Sequence, residues 1–324
     1  MYGKNSKGGQ YNFSEKTQCP YLRHQFMMLL KKIILCNSWM IVLILLACNN
    51  EHSSKVETTQ QPATVQTDSP KSTTTKDTTT VRKDTTVALV SKPIVFDTTK
   101  KYIYLTFDDG PQNGTQICVN ICKDLGVKAT FFMVGEHSCS PKTNHLVDTI
   151  RGAYPFFLLA NHSYSHAKGQ YHKFYNHPAS AAEDFYATQQ KLHVPFPIIR
   201  LPGNSAWVRK GEIKASGLVK PVCKILDSAG YNVIGWDAEW EFTRDKHCFP
   251  RQSVSKMLAT VSKNFENNDM HTKNHLVILT HDRMFQHQPY SDSLYNFIKA
   301  LKQNPNYVFE TVDHYPGLKT GNRQ

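Results

Sequence analysis

Between residues 100 and 312, short apolar runs alternate with segments of helical period, and no other feature constrains the fold of this chain as strongly. Strand-type runs stand at 102–107, 129–134, 156–160, 198–201, 232–236, 276–280 and 307–312. Helical patterns fill the intervals at 115–125, 143–152, 179–192, 220–229, 252–267 and 291–303. The 252–267 pattern shows the principle, with apolar positions at Val254, Met257, Leu258 and Val261 recurring every three or four residues. Apolar runs separated by helices call for parallel strands joined by right-handed crossovers. About 220 residues of this kind suit one barrel-like α/β domain. An open doubly wound sheet satisfies the same pattern.

The polar residues that need explaining follow these runs. Asp108-Asp109-Gly110-Pro111 comes after the first and Asn161-His162-Ser163-Tyr164-Ser165-His166 after the third. Arg200-Leu201-Pro202-Gly203 follows the fourth, Trp236-Asp237-Ala238-Glu239-Trp240 the fifth, and Thr280-His281-Asp282 the sixth. Sites in α/β architectures are built at the carboxyl ends of parallel strands, where loops converge. His162 and His166, four apart, would share one side of a helical turn. With one carboxylate they make a two-His, one-Asp set that leaves positions open for water and substrate. Two adjacent Asp drive each other's pKa values apart, so one is expected to bind metal and the other to act as a base. A solvated Asp-Gly-Pro turn accounts for neither Asp108 nor the His pair.

Taken together, Thr106–Pro111, Lys128–Phe132, Asn161–His166, Arg200–Gly203, Gly230-Tyr231 ahead of Trp236, and Leu279–Asp282 resemble the ordered motifs of the polysaccharide deacetylase family. Its domain is also called the NodB-homology domain, or carbohydrate esterase family 4. The resemblance runs from about Lys101 to Val312 and implies a distorted (β/α) barrel of about seven parallel strands. It also implies one divalent metal, usually zinc, and hydrolytic removal of acetyl groups from N-acetylated sugars or, in some members, O-acetylated xylan. Position by position, it implies Asp109, His162 and His166 as metal ligands, Asp108 as the base toward the attacking water, and His281 as the acid toward the departing amine. Leu279 would touch the acetyl methyl group. Arg200 would orient the base carboxylate, and a backbone N–H just after it, at Gly203, would help hold the oxyanion.

Two segments depart from the commoner pattern. Arg200-Leu201-Pro202-Gly203-Asn204 stands in place of Arg-Pro-Pro-Tyr-Gly, which removes an aromatic wall. Asp237-Ala238-Glu239-Trp240 stands in place of Asp-x-x-Asp-Trp. Glu239 or Asp237 is expected to pair with Arg200, and Trp240 or Trp236 to wall the pocket, with plain core the alternative for Trp236. Asp282 is expected to support or cap the site. Tyr171, Phe174 and Tyr175 suit either a glycan groove or the barrel rim. The remaining histidines, among them His137, His271 and His275, are not assigned to the metal.

The expected domain occupies 98–318, with 319–324 as a tail. Residues 1–48 read as a leader, with Met27 or Met28 as an alternative start: Lys31 and Lys32 precede an apolar run at 33–47 that ends Leu45-Leu46-Ala47-Cys48. The run is short for a spanning helix and resembles a bacterial lipoprotein signal, which would make Cys48 the acylated residue. An uncleaved anchor is the alternative. Residues 49–97 form a linker; 56–87 holds twelve Thr and no apolar period, so it is expected to stay a disordered, solvated tether. The layout implies an exported protein held at the bacterial envelope. The net charge of +12 invites nucleic acid, but half of the excess lies before residue 93 and the remainder forms no dense block. Nucleic acid is therefore not expected as a partner. Five cysteines fall in the domain, an odd number, so at least one is unpaired within the chain. The expected activity is metal-dependent deacetylation of a polysaccharide; a glycan-binding lipoprotein that keeps the fold without catalysis is the alternative.

Overall fold

The computed structural model describes residues 94–245 and 247–319. The leader, the Thr-rich tether and Cys48 lie outside the described residues. The strands are β1 (Lys101–Gly110), β2 (Ala129–Met133), β3 (Phe157–Asn161), β4 (Ile198–Ile199), β5 (Trp207–Arg209), β6 (Glu212–Lys214), β7 (Asn232–Val233), β8 (Ala238–Glu239), β9 (His275–His281) and β10 (Tyr307–Phe309). The helices are α1 (Thr115–Asp124), α2 (Pro141–Gly152), α3 (Tyr171–Tyr175), α4 (Pro178–Lys191), α5 (Lys220–Ser228), α6 (Val254–Asn267) and α7 (Tyr290–Lys302). Local chemistry sets several ends. Ser140 caps α2 reciprocally with Thr143, with Pro141 at the first helical position, and Ser253 caps α6 by accepting from the Lys256 N–H.

The sheet runs β6-β5-β7-β4-β3-β2-β1-β9-β8, with β10 beside β1. All pairings from β7 through β8 are parallel, as is that of β10 with β1. The expected strand at 232–236 is shorter than its apolar run, and the chain beyond it forms a further strand. The first bonds β4, with the Ile234 N–H donating to the Ile199 carbonyl; the second bonds β9, with the Asp237 N–H donating to Val277 and the Trp240 N–H to Leu279. One short segment thus spans from β4 to β9 and curls the sheet into a distorted barrel. The β5–β6 hairpin is antiparallel and was not foreseen. Its turn, Lys210-Gly211 with Gly211 at φ 74, is the signal that would have revealed it.

Both faces of the parallel strands are buried, and a period of two sorts their side chains. Ile103, Leu105 and Phe107 of β1 join Phe131, Leu159 and Ile278 in a layer that also takes in residues of α1, α2, α6 and α7. Tyr102 and Tyr104 face inward with Phe132, Leu158, Ala160, Ile198, Ile234 and Val277. A third cluster packs α4 and α5 on the outer side of β4 and β7. Continuing the inner register toward the strand ends selects Thr106, Asp108, His162, Arg200, Leu279 and His281. The candidate residues therefore share the inner face because of strand alternation alone.

The packed chain reaches slightly beyond the expected limits. Phe96 sets its ring on Tyr102 and His275, and Lys319 bonds Asp227, Tyr231 and Asn232. Cys118, Cys122, Cys139, Cys223 and Cys248 are all free thiols, so no disulfide staples the described residues. No helix among the described residues is long and apolar enough to cross a membrane.

Glu310, just after β10, ties that strand to the residue preceding β2. Its carboxylate accepts from Lys128 Nζ at 2.7 and 2.8 Å, from the Thr311 N–H at 2.9 Å and from His314 Nδ1 at 3.0 Å. Burial alone would raise its pKa, but these donors bring it down to about 2. A carboxylate depressed in the folded state stabilises above its unfolded pKa near 4.5, and that contribution disappears as pH falls toward 2. With the part-exposed Lys128 discounted for solvent screening, it is worth on the order of 2 kcal/mol. Glu310→Gln should accordingly lower the melting temperature at pH 7 and leave it nearly unchanged at pH 2.5. Thermal melts across that range check this, and equal losses at both pH values would refute it.

Candidate active site

At the end of β1 the pairing with β2 skips Asp109: Asp108 faces Phe132, and Gly110, not Asp109, faces Met133. Asp109 itself sits at φ 74. This bulge matters because consecutive strand residues point to opposite faces; one unpaired residue in the left-handed region brings both carboxylates to the same side. The conformation costs about 1–2 kcal/mol for a residue with a side chain, so something must hold it. Val134 N–H donates to the Gly110 carbonyl at 2.7 Å, and His137 Nδ1–H donates to the Asp109 carbonyl at 2.7 Å. The same loop also binds the segment after β3, through Gly135 N–H to Ser163 and Glu136 N–H to Tyr164. His137 was not singled out from sequence, where nothing distinguished it from the other loop histidines.

His162 and His166 do meet, although not on a helical turn. His162 continues β3, and the chain then turns through Ser163 at φ 68 before His166 at φ 49. Two carboxamide or carboxylate side chains shape this loop. Asn161 Oδ1 accepts from the Ser163 N–H, and Asp184 Oδ1, on α4, accepts from the Tyr164 and Ser165 N–H groups at 2.7 and 3.1 Å. The imidazole centroids end 5.0 Å apart. Asp184 carried no sequence signal, because it lies eighteen or more positions from the residues it positions.

Asp109, His162 and His166 each offer one ligand atom, and these atoms lie within 4.8 Å of one another. Asp109 Oδ1 stands 3.0 Å from His166 Nε2 and 3.4 Å from His162 Nε2, yet this buried oxygen takes no aligned hydrogen bond. His162 Nδ1 lies 2.9 Å from the Arg200 carbonyl, which can only accept; the proton is therefore on Nδ1, and Nε2 turns a bare lone pair inward. Burial alone would raise the Asp109 carboxyl, but His166 and His162 outweigh it and hold it well below the usual carboxylate range. An orphaned oxygen and an inward lone pair fit a divalent cation with open coordination positions.

Asp108 is placed differently. Its Oδ1 accepts from Arg200 Nη1 at 2.9 Å, and its Oδ2 lies 3.6 Å from His162 Nε2. Arg200 is fully buried. It also donates to Thr106 Oγ1 at 2.5 Å, to the Ile234 carbonyl at 3.2 Å and to the Gly235 carbonyl at 2.8 Å, with its guanidinium 4.3 Å from the Phe132 ring centroid. Neither expected partner, Asp237 or Glu239, hydrogen-bonds it. Asp237 instead accepts from the His271 and Val277 N–H groups, and burial pushes it up to about 6. Glu239 is raised by burial and takes a hydrogen bond from the Trp236 side chain.

His281 stands beside Asp108 across the β1–β9 ladder. Its Nδ1 is buried without a hydrogen-bond partner among the described residues, and burial lowers its pKa. Leu279 lies two residues earlier on the same face, 3% exposed. Trp240 is corrected from pocket wall to core: it is fully buried, packs on Phe285 and Phe297, and donates its indole N–H to the Gln252 carbonyl. Trp236 is half-buried, 5.9 Å from Arg200. Gly203 is exposed, at φ 64, with the Tyr171 ring 2.9–3.0 Å from where a Cβ would stand. Asp282 supports the site from below, accepting from Gln112 at 2.7 Å and from the Thr115 hydroxyl, and burial pushes it up to about 7.

Because Asp184 sets the path to His166, Asp184→Ala should weaken binding of a divalent cation by roughly 10- to 100-fold, the usual cost of losing support behind a ligand. Asp184→Asn keeps an accepting oxygen and should lose less. Competition against a chromophoric chelator measures both; equal affinity in Asp184→Ala and wild type would show that the loop needs no such support.

Comparison with known proteins agrees with this geometry. Residues 96–203 match the model of a family described as polysaccharide deacetylase, which spans Asp108, Asp109, His162, His166 and Arg200. A curated relative, chitin disaccharide deacetylase of Vibrio alginolyticus, is 26% identical and covers 69% of this chain and 74% of its own length. Among solved structures, the catalytic domain of a peptidoglycan N-acetylglucosamine deacetylase from Eubacterium rectale covers 72% of this chain and 98% of its own, with TM-score 0.50 and 22% identity. A carbohydrate esterase family 4 enzyme from Streptococcus mutans covers 65% and 86%, with TM-score 0.50 and 23% identity. At these identities the structures establish the shared fold. The chain is an enzyme similar to polysaccharide deacetylases, with that family's sequence pattern on residues 96–203.

Proposed function

We propose that the site hydrolyses acetyl groups from N-acetylated sugar units of a glycan, with zinc held by Asp109, His162 and His166. The observation that carries this reading is the division of labour between adjacent carboxylates: Asp109 turned to two imidazoles, Asp108 pinned to a buried arginine. The curated relative named for chitin disaccharide supports an N-acetylated substrate. O-acetylated xylan follows the same chemistry with a different leaving group.

The cation, when bound, would supply Lewis acidity to the acetyl carbonyl. Arg200 occupies Asp108 Oδ1, leaving Oδ2 on the side of His162 to take a proton from the attacking water. The new bond joins that water's oxygen to the acetyl carbon, and the Gly203 backbone N–H helps hold the developing oxyanion. The carbon–nitrogen bond then breaks, His281 gives a proton to the nitrogen, and acetate and a free amine leave. Leu279 packs at the base of the acetyl pocket, and Trp236 borders it.

The test is acetate release by zinc-loaded protein from chitooligosaccharides, peptidoglycan and acetylated xylan. Asp108→Asn should reduce kcat by at least ~100-fold with zinc still bound, the scale of general-base loss. Asp109→Ala should lose zinc itself. Zinc lost from Asp108→Asn would reverse the two assignments, and no acetate from any substrate would favour a glycan-binding protein without catalysis.

We also propose export and acylation at Cys48, which would place the enzyme at the bacterial envelope. Labelling with a fatty-acid analogue in a bacterial host should mark the wild type and not Cys48→Ser. An unlabelled wild type would contradict the anchor.

A further inference from the structure

Tyr171 lies in the loop region after β3, five residues past His166, yet its ring packs against the loop after β4. Ring atoms stand 2.9–3.0 Å from the position a Cβ of Gly203 would occupy, so any larger residue there would displace the ring. The ring also meets His166 edge to face, with centroids 5.7 Å apart and planes at 84°. Tyr171 therefore fills the gap between a metal-binding imidazole and the Arg200 loop. It is half-buried; burial first, and then the charge of Asp109, raise its phenol pKa.

The packing of the loop itself is handled elsewhere. Tyr175, one turn further along α3 and 1% exposed, donates its hydroxyl to the Pro202 carbonyl at 2.8 Å. Leu201 is buried in the same cluster. Tyr171 packs against that cluster too, but it stays part-exposed beside the metal triad, and that remaining surface is what it has to offer. We propose that Tyr171 is the substrate-positioning aromatic of this site, its ring receiving the apolar face of the sugar that carries the acetyl group. The bare Gly203 is the complement of that arrangement, because the ring needs the volume a side chain would take. Pyranoses present C–H groups on one face, and a large, rigid aromatic surface suits them at small entropic cost.

This inference rests on the deacetylase reading, and the test separates their failures. Tyr171→Ala and Tyr171→Phe would be prepared zinc-loaded, with zinc affinity and melting temperature measured alongside kinetics on triacetylchitotriose. Tyr171→Ala should raise KM about 10-fold with kcat within about 3-fold of wild type, the pattern of lost binding that is common to ground and transition states. Zinc affinity should stay unchanged. Tyr171→Phe, which keeps the ring, should stay within about 2-fold in KM. Three results would overturn the assignment: an unchanged KM in Tyr171→Ala, a loss of zinc affinity in that variant, or an equal defect in Tyr171→Phe. Should the wild type release no acetate, the deacetylase reading fails first. Calorimetric binding of the same trisaccharide then decides this one, with binding by the wild type and loss in Tyr171→Ala expected, and equal binding contradicting it.

Discussion

A guanidinium buried at the mouth of the barrel is the constraint on which the rest depends. Withdrawing a cation from water costs several kcal/mol even after relaxation, and only well-aligned partners offset it. Arg200 has them: the Asp108 carboxylate, the Thr106 hydroxyl, two carbonyls and the face of Phe132. The two carbonyls belong to Ile234 and Gly235, within the segment that passes from β4 to β9. One side chain therefore secures the closing segment of the sheet and the orientation of the Asp108 carboxylate. Lysine could not replace it, since a point charge lacks the planar fork that reaches acceptors on β1 and on the 234–235 segment at once.

Around that fixed point the site is assembled from loops that brace one another. The loop after β2 donates backbone and side-chain hydrogen bonds to the Asp109 bulge on one side and to the His162–His166 loop on the other. Its middle residue, Gly135, has no room for a Cβ against Tyr164 and Thr188. Asp109 and both histidines are thus aimed by contacts outside the triad. Asp109 and His166 both sit in the left-handed region, and these contacts offset the cost of holding them there.

Much of this was legible in the sequence because the physics involved is local or periodic. Short apolar runs between helical patterns located the strands, and the polar residues that follow them marked the end of the sheet where the site is built. What escaped has a common cause, the pairing of positions far apart in the chain. Spacing placed His162 and His166 together but suggested a helical turn, whereas Asn161 and Asp184 fold the loop by hydrogen bonds. Charge suggested Asp237 or Glu239 as further partners of Arg200, whereas beside Asp108 its acceptors proved to be the Thr106 hydroxyl and two backbone carbonyls, which every residue carries. Trp240 resembled a pocket wall by its motif; its position on the outer face of the sheet, against α7, makes it core. The β5–β6 hairpin was hidden by its brevity, with only Lys210-Gly211 to mark it.

The central claim is that adjacent carboxylates divide the work, Asp109 binding metal with two imidazoles while Asp108 stays outside the coordination sphere. X-ray absorption at the zinc edge, on zinc-loaded wild type and Asp108→Asn, tests it directly. Two imidazoles and two or three oxygens at about 2.0–2.2 Å, no sulfur, and the same spectrum in both proteins are expected. A sulfur shell near 2.3 Å, a single imidazole, or a spectrum altered by Asp108→Asn would contradict it.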